Sequence, residues 1–146
     1  MPYAWIKIFW DVSWILTFFL DQMEAKGAHA LRDHVGKTPQ DLIKRIITTD
    51  EHLSAATSFT NKQTANTAVL QNIRNNANAI EAWITSPVDP RRPNKAFEFT
   101  HDIPTGFGVA EKSKTVVHEL TTSRVTIARD PLSVLGFRVD SAFPAI

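Results

Sequence analysis

Two spacings of apolar residues divide this chain. Up to about residue 85 they recur at three- and four-residue intervals, the period of a helix; from residue 96 onward they alternate or run in short β-branched groups, as in strands. Thr38-Pro39-Gln40-Asp41 predicts a helix start, with Thr38 as cap, Pro39 at the first helical position and Asp41 at the positive end of the dipole. Leu42, Ile43, Ile46 and Ile47 then make an apolar stripe. "TSFTNKQTANTAVLQNIRNNANAIEAWIT", residues 57–85, reads as further helix, capped by Ser58 or Thr60. Ala65, Ala68, Val69 and Ile73 share one face there, and Ile80, Trp83 and Ile84 another. "SPVDPRRPN", residues 86–94, ends the helices, because its prolines cannot continue one.

The second part reads as strands. "AFEFT" (96–100), "TVVHEL" (115–120) and "RVTIAR" (124–129) are strand-like, and "TGFG" (105–108) reads as a turn. "LGFRVDSAF" (135–143) predicts a strand with Phe137, Val139, Ser141 and Phe143 on one face, since side chains alternate. Helices followed by strands predict an α+β domain with an antiparallel sheet.

The N-terminal run "AWIKIFWDVSWILTFFL", residues 4–20, fits neither pattern. It holds three of the four tryptophans, is interrupted by Lys7 and Asp11, and falls short of the roughly 20 apolar residues a spanning helix needs. Three readings stand: a helix packed on the domain, a signal-like or membrane-contacting segment with "AHA" at 28–30 as a cleavage-like site, or an entry segment of a longer protein. Residues 1–23 are therefore set apart from a domain at 24–146.

With 146 residues the chain can bury the core of one domain, and its formal charge of +1 announces no general affinity for nucleic acid. It has no cysteine, which excludes disulfides, thiolate metal sites and cysteine nucleophiles. Neither a nucleophile elbow around Ser141 nor a Gly-rich phosphate loop occurs.

The candidate chemistry lies in five histidines and one arginine. Unperturbed histidine titrates near neutral pH, so each is a possible acid or base. His52 and His101 lie in polar segments and read as solvated. His118 reads as a partly buried strand residue. His29 and His34, five apart, do not form an ideal metal pair on a helix. Arg45 can donate two parallel hydrogen bonds to a phosphate, although spacing alone favours a solvated helix face. The residues by themselves support an α+β domain with a candidate His/Arg site.

"KGAHALRDHVGKTPQDLIKR", "AATSFTNKQTANTAVLQNI", "NANAIEAWI" and "LGFRVDSAFPAI", in this order and spacing, resemble the bacterial ribonuclease A-like toxin domain found at the C-termini of contact-dependent inhibition proteins. The resemblance covers roughly residues 24–146. It implies a ribonuclease A-like fold without disulfides, and metal-independent RNA cleavage by attack of the ribose 2′-oxygen on the adjacent phosphate. It places the catalytic histidine on His34 and the catalytic arginine on Arg45. The Thr and Tyr of the family's closing strand fall on Ser141 and Phe143. The implied partners are an RNA, with tRNA one candidate, and a cognate immunity protein. The implied protein is a monomer without cofactor or metal, delivered from its producer to act in a target cell's cytoplasm.

Phe143 departs from the family pattern by lacking a hydroxyl. If that hydroxyl moves a proton or holds phosphate, its loss costs roughly 100-fold; if the ring only stacks, phenylalanine suffices. The general acid is open among His29, His118 and Lys44. Two other functions remain: a weakened homologue that binds RNA or an immunity protein without efficient cleavage, and a membrane-associated domain resting on residues 4–20.

Overall fold

The computed structural model describes residues 33–48, 55–110, 115–133 and 135–146. The expectations for residues 4–20, His29 and His52 fall outside them.

Helix α1 (Pro39–Thr48) starts in a reciprocal cap. The Asp41 N–H donates to Thr38 Oγ1 at 3.1 Å, and the Thr38 N–H donates to Asp41 Oδ2 at 2.9 Å. These bonds to Thr38 hold the Asp41 carboxyl below the ordinary aspartate range. Leu42 is fully buried, while Ile47 is 61% exposed, so the apolar stripe is narrower than its spacing predicts.

Strand β1 (Ala55–Phe59) follows, where the sequence pattern predicts helix from Thr57 onward. Ala56 to Phe59 are all buried. A strand covered on both faces loses the alternation that would reveal it. The cap of helix α2 (Lys62–Asn75) therefore lies later than expected, at Asn61, whose Oδ1 accepts the Thr64 N–H at 2.8 Å. Ala65, Ala68, Val69 and Ile73 form its buried face as predicted, and Ile80 anchors helix α3 (Ala77–Thr85).

The remaining strands are β2 (Asn94–Thr100), β3 (Gly106–Ala110), β4 (Val116–Leu120), β5 (Thr122–Arg129) and β6 (Phe137–Ala145). They form two three-stranded antiparallel sheets, ordered β1-β3-β4 and β2-β5-β6. The "TGFG" run predicted as a turn is the start of β3. A Cβ on Gly106 would overlap the Ser58 carbonyl and meet Pro144 Cγ at 2.8 Å, so glycine serves close approach between strands there.

The α+β class stands, with the strands shared between two sheets. α2 and α3 cover the β2-β5-β6 sheet over a large core containing Ile73, Ile80, Phe97, Val125, Phe137 and Val139. α1 covers the other sheet over a smaller core of Leu42, Ala56 and Val109. Phe59, at the end of β1, is fully buried in the large core and ties the two together.

One irregularity redirects the closing strand. Thr126 pairs with Ser141 but Ile127 pairs with Val139, which leaves Asp140 as an extra residue in β6. Before this bulge Phe137 and Val139 are buried; after it Ala142 and Pro144 are. The predicted shared face of Phe137, Val139, Ser141 and Phe143 is thus broken in the middle. Ser141 and Phe143 still share a face, but it is opposite the one that continues the core.

Candidate active site

Three backbone features hold the segment carrying His34 against β1. Val35 bridges Phe59 in parallel, the Gly36 N–H donates to the Phe59 carbonyl at 3.1 Å, and the Lys37 N–H donates to Ser58 Oγ at 3.0 Å. Gly36 has φ +66°, the left-handed region that glycine enters without strain, so the chain turns from that bridge into the cap of α1. The helix then runs so that Arg45, in its last turn, comes beside His34.

His34 is 8% exposed. Its Nδ1 lies 3.3 Å from the Thr57 carbonyl oxygen and 3.4 Å from Arg45 Nη1. Arg45 Nη1 also donates to the Asp33 carbonyl at 3.2 Å. The two Nδ1 contacts demand opposite tautomers. A carbonyl can only accept, so it needs hydrogen on Nδ1; a guanidinium can only donate, so it needs a lone pair there. With hydrogen on Nδ1, Nε2 carries the lone pair and is the basic atom. With the reverse, Nε2 carries the proton.

The third member arrives from β6. The rings of His34 and Phe143 are 5.2 Å apart with planes tilted by 38°, within the range of a favourable aromatic contact. The structure therefore brings His34, Arg45 and Phe143 together from the segment before α1, from α1 and from β6. Ser141 shares the Phe143 face and is half-buried, but its hydroxyl has no hydrogen-bond partner among the described residues. Sequence patterns gave no signal for the Thr57 and Asp33 carbonyls, because backbone groups carry no residue identity.

The other titratable candidates sit apart from this cluster. Lys44 and His118 are exposed, so the expectation of a partly buried His118 fails; it lies on the outward side of β4. His101, expected to be solvated, is 5% exposed. The reason is a buried polar chain that composition does not reveal. Its Nδ1 lies 2.8 Å from Gln71 Oε1 and its Nε2 2.8 Å from Ser123 Oγ, while Asn72 Nδ2 donates to that same Oγ at 3.0 Å. Burial pushes the His101 imidazole below its ordinary pKa, with Asp102 opposing weakly. Among the described residues no three metal-ligating side chains converge.

The comparisons agree with this architecture. Residues 28–144 match the family described as the bacterial CdiA-CT RNAse A domain, so the chain belongs to that family of ribonuclease A-type toxin domains. Among solved structures it is similar to one titled "Crystal structure of CdiA-CT/CdiI complex from Y. kristensenii", at 27% identity and a TM-score of 0.69, covering 77% of this chain and 95% of that one. No curated protein matches.

Proposed function

We propose that this protein is an endoribonuclease that cleaves RNA without a metal ion, by attack of the ribose 2′-oxygen on its own 3′-phosphate. The observation that carries the reading is the approach of Arg45 Nη1 to within 3.4 Å of a histidine held on Thr57 and in tilted ring contact with Phe143. With its Nδ1–H directed to Thr57, His34 takes the 2′-proton at Nε2. The 2′-oxygen forms a bond to phosphorus as the bond to the 5′-oxygen breaks. Arg45 then stabilises the charge that grows on the non-bridging oxygens, since a fixed guanidinium strengthens as that charge develops. The leaving 5′-oxygen collects a proton from solvent. We assign no side chain to that step, because Lys44 and His118 are exposed and form no hydrogen bond with His34, Arg45 or Phe143. Ser141, on the same strand face as Phe143, is placed as a donor to phosphate, and the Phe143 ring as a platform for a base.

By likeness to the Y. kristensenii protein, whose structure is titled as a complex with CdiI, this chain would be held inactive at home by an immunity protein and delivered into a neighbouring cell, where it would cut cytoplasmic RNA. The test is incubation of the full chain with total bacterial RNA in EDTA. Wild type should cleave, His34→Ala should lose about 10²–10⁴-fold and Arg45→Ala about 10²–10³-fold. Activity that persists in both variants, or that needs a divalent ion, overturns the reading.

The weakened-homologue reading is favoured by one residue, Phe143. Phe143→Tyr should raise kcat at least tenfold if a lost hydroxyl limits the enzyme, and leave it unchanged if the ring alone matters.

A further inference from the structure

We propose that the cleft between the C-terminal end of α3 and strands β2 and β5 holds the backbone of the RNA beyond the cleaved phosphate. The proposal rests on the ribonuclease reading and adds a second contact area to it. The cleft has a volume of about 490 Å³, and its walls include Trp83, Arg92, Lys95, Arg124 and Arg129, with Asp89 the one carboxylate among its lining residues. A chain of formal charge +1 has no general attraction for a polyanion, so such a ligand must be held locally.

The cations in this cleft are differently prepared. Arg129 is fixed: its Nη2 donates to the Trp83 carbonyl at 2.8 Å and to Ser86 Oγ at 3.1 Å, and its guanidinium carbon lies 4.3 Å from the Trp83 ring centroid. Its Nε is buried without a hydrogen-bond partner. Arg92 and Lys95 are exposed and have no carboxylate partner among the described residues, because Asp89 bonds Arg91 and Asp140 bonds Arg138. Arg124 meets Glu98 at 3.0 Å, but that pair is exposed on both sides, and exposed pairs are worth little, so a phosphate can displace the carboxylate.

Position joins the cleft to the candidate active site. Arg124 lies in register directly opposite Phe143 across the β5–β6 ladder, and opposed residues project to the same side of a sheet. A strand of RNA whose cleaved phosphate sits at His34 therefore passes Phe143, crosses Arg124 and rounds the edge strand β2 to reach Lys95 and Arg129, which alternate to the helix-covered side of the sheet.

The experiment uses the full chain carrying His34→Ala and a fluorescent single-stranded 2′-deoxy decanucleotide, which cannot undergo 2′-oxygen attack. Arg92→Glu with Lys95→Glu should weaken binding at least tenfold. The slope of log affinity against log salt should shrink by about 1.4, the loss of two phosphate contacts on a single strand. Arg92→Glu alone, on an exposed side chain, should give about half that change in slope and guards against misfolding of the double variant. In the active background, the ratio of kcat/KM for a decanucleotide to that for a dinucleotide should fall about tenfold. Unchanged affinity and an unchanged ratio, with His34-dependent cleavage intact, overturn the cleft and leave the ribonuclease reading standing. Loss of decanucleotide affinity in a protein that cleaves nothing keeps the cleft as an RNA site and overturns the ribonuclease reading instead. Polyglutamate of equal length that displaces the decanucleotide at equal concentration overturns the proposal in favour of an acidic protein partner.

Discussion

His34 and His101 are both buried histidines beside an aromatic ring, yet their surroundings ask different things of them. The two ring nitrogens of His101 meet two separate partners, each at 2.8 Å. Gln71 Oε1 only accepts, so Nδ1 must carry the hydrogen and Nε2 must accept from the Ser123 hydroxyl. Asn72 then donates to Ser123, and every role in the chain is fixed. At His34 two partners of opposite character contend for a single nitrogen, at 3.3 and 3.4 Å. Burial alone does not distinguish a working imidazole from a structural one. A contested nitrogen beside a cation does, because the proton's position there is open to change by a substrate.

That contrast can be broken most directly by exchanging the losses. His34→Ala should abolish most cleavage, about 10²–10⁴-fold, with little change in the urea midpoint. His101→Ala should do the reverse. It takes the imidazole partner from the buried Ser123 hydroxyl and should cost about 1–3 kcal/mol of stability, while cleavage per folded molecule stays within about twofold of wild type. A His101 variant that folds normally and loses cleavage would erase the distinction.

A smaller effect sharpens it. Burial holds the His101 pKa below its ordinary value, near 6.5 in the unfolded chain. Between the two values the unfolded state binds the proton and the folded state does not. Stability is therefore full above about pH 6.5 and falls as pH drops through the folded-state value. Urea unfolding at about pH 7.5 and pH 5.5 should show a loss in wild type that is smaller in His101→Leu. Equal losses would mean that other groups account for the dependence.

Much of the fold was legible because its elements announce themselves physically. The Thr38–Asp41 cap, the buried stripe of α2 and the alternating runs of β2 and β5 each follow from one face meeting a core and the other meeting water. The misreadings share a cause. In β1, burial on both sides erased alternation, and small residues with hydroxyls resembled a helix cap. In β3, glycines demanded by neighbouring strands resembled a turn. In β6, one extra residue changed which positions face inward. His101 was misjudged because a polar neighbourhood in the chain became a dry one in space. Of the candidate site, the proximity of His34 and Arg45 could not be read from their separation of eleven positions. The likeness to the toxin family supplied that pairing, and it was silent about Arg124, whose place beside Phe143 emerges only from strand register.

The extra residue at Asp140 gives the closing strand two reading frames. Upstream, Phe137 and Val139 answer only to packing; downstream, Ser141 and Phe143 answer to the candidate active site, and neither set constrains the other. A one-residue deletion at position 140 would restore plain alternation and keep both sets on their present sides, with Phe137, Val139, Ala142 and Pro144 inward and Ser141 and Phe143 outward. Side chains of the candidate active site on this strand can therefore be exchanged with the interior left undisturbed.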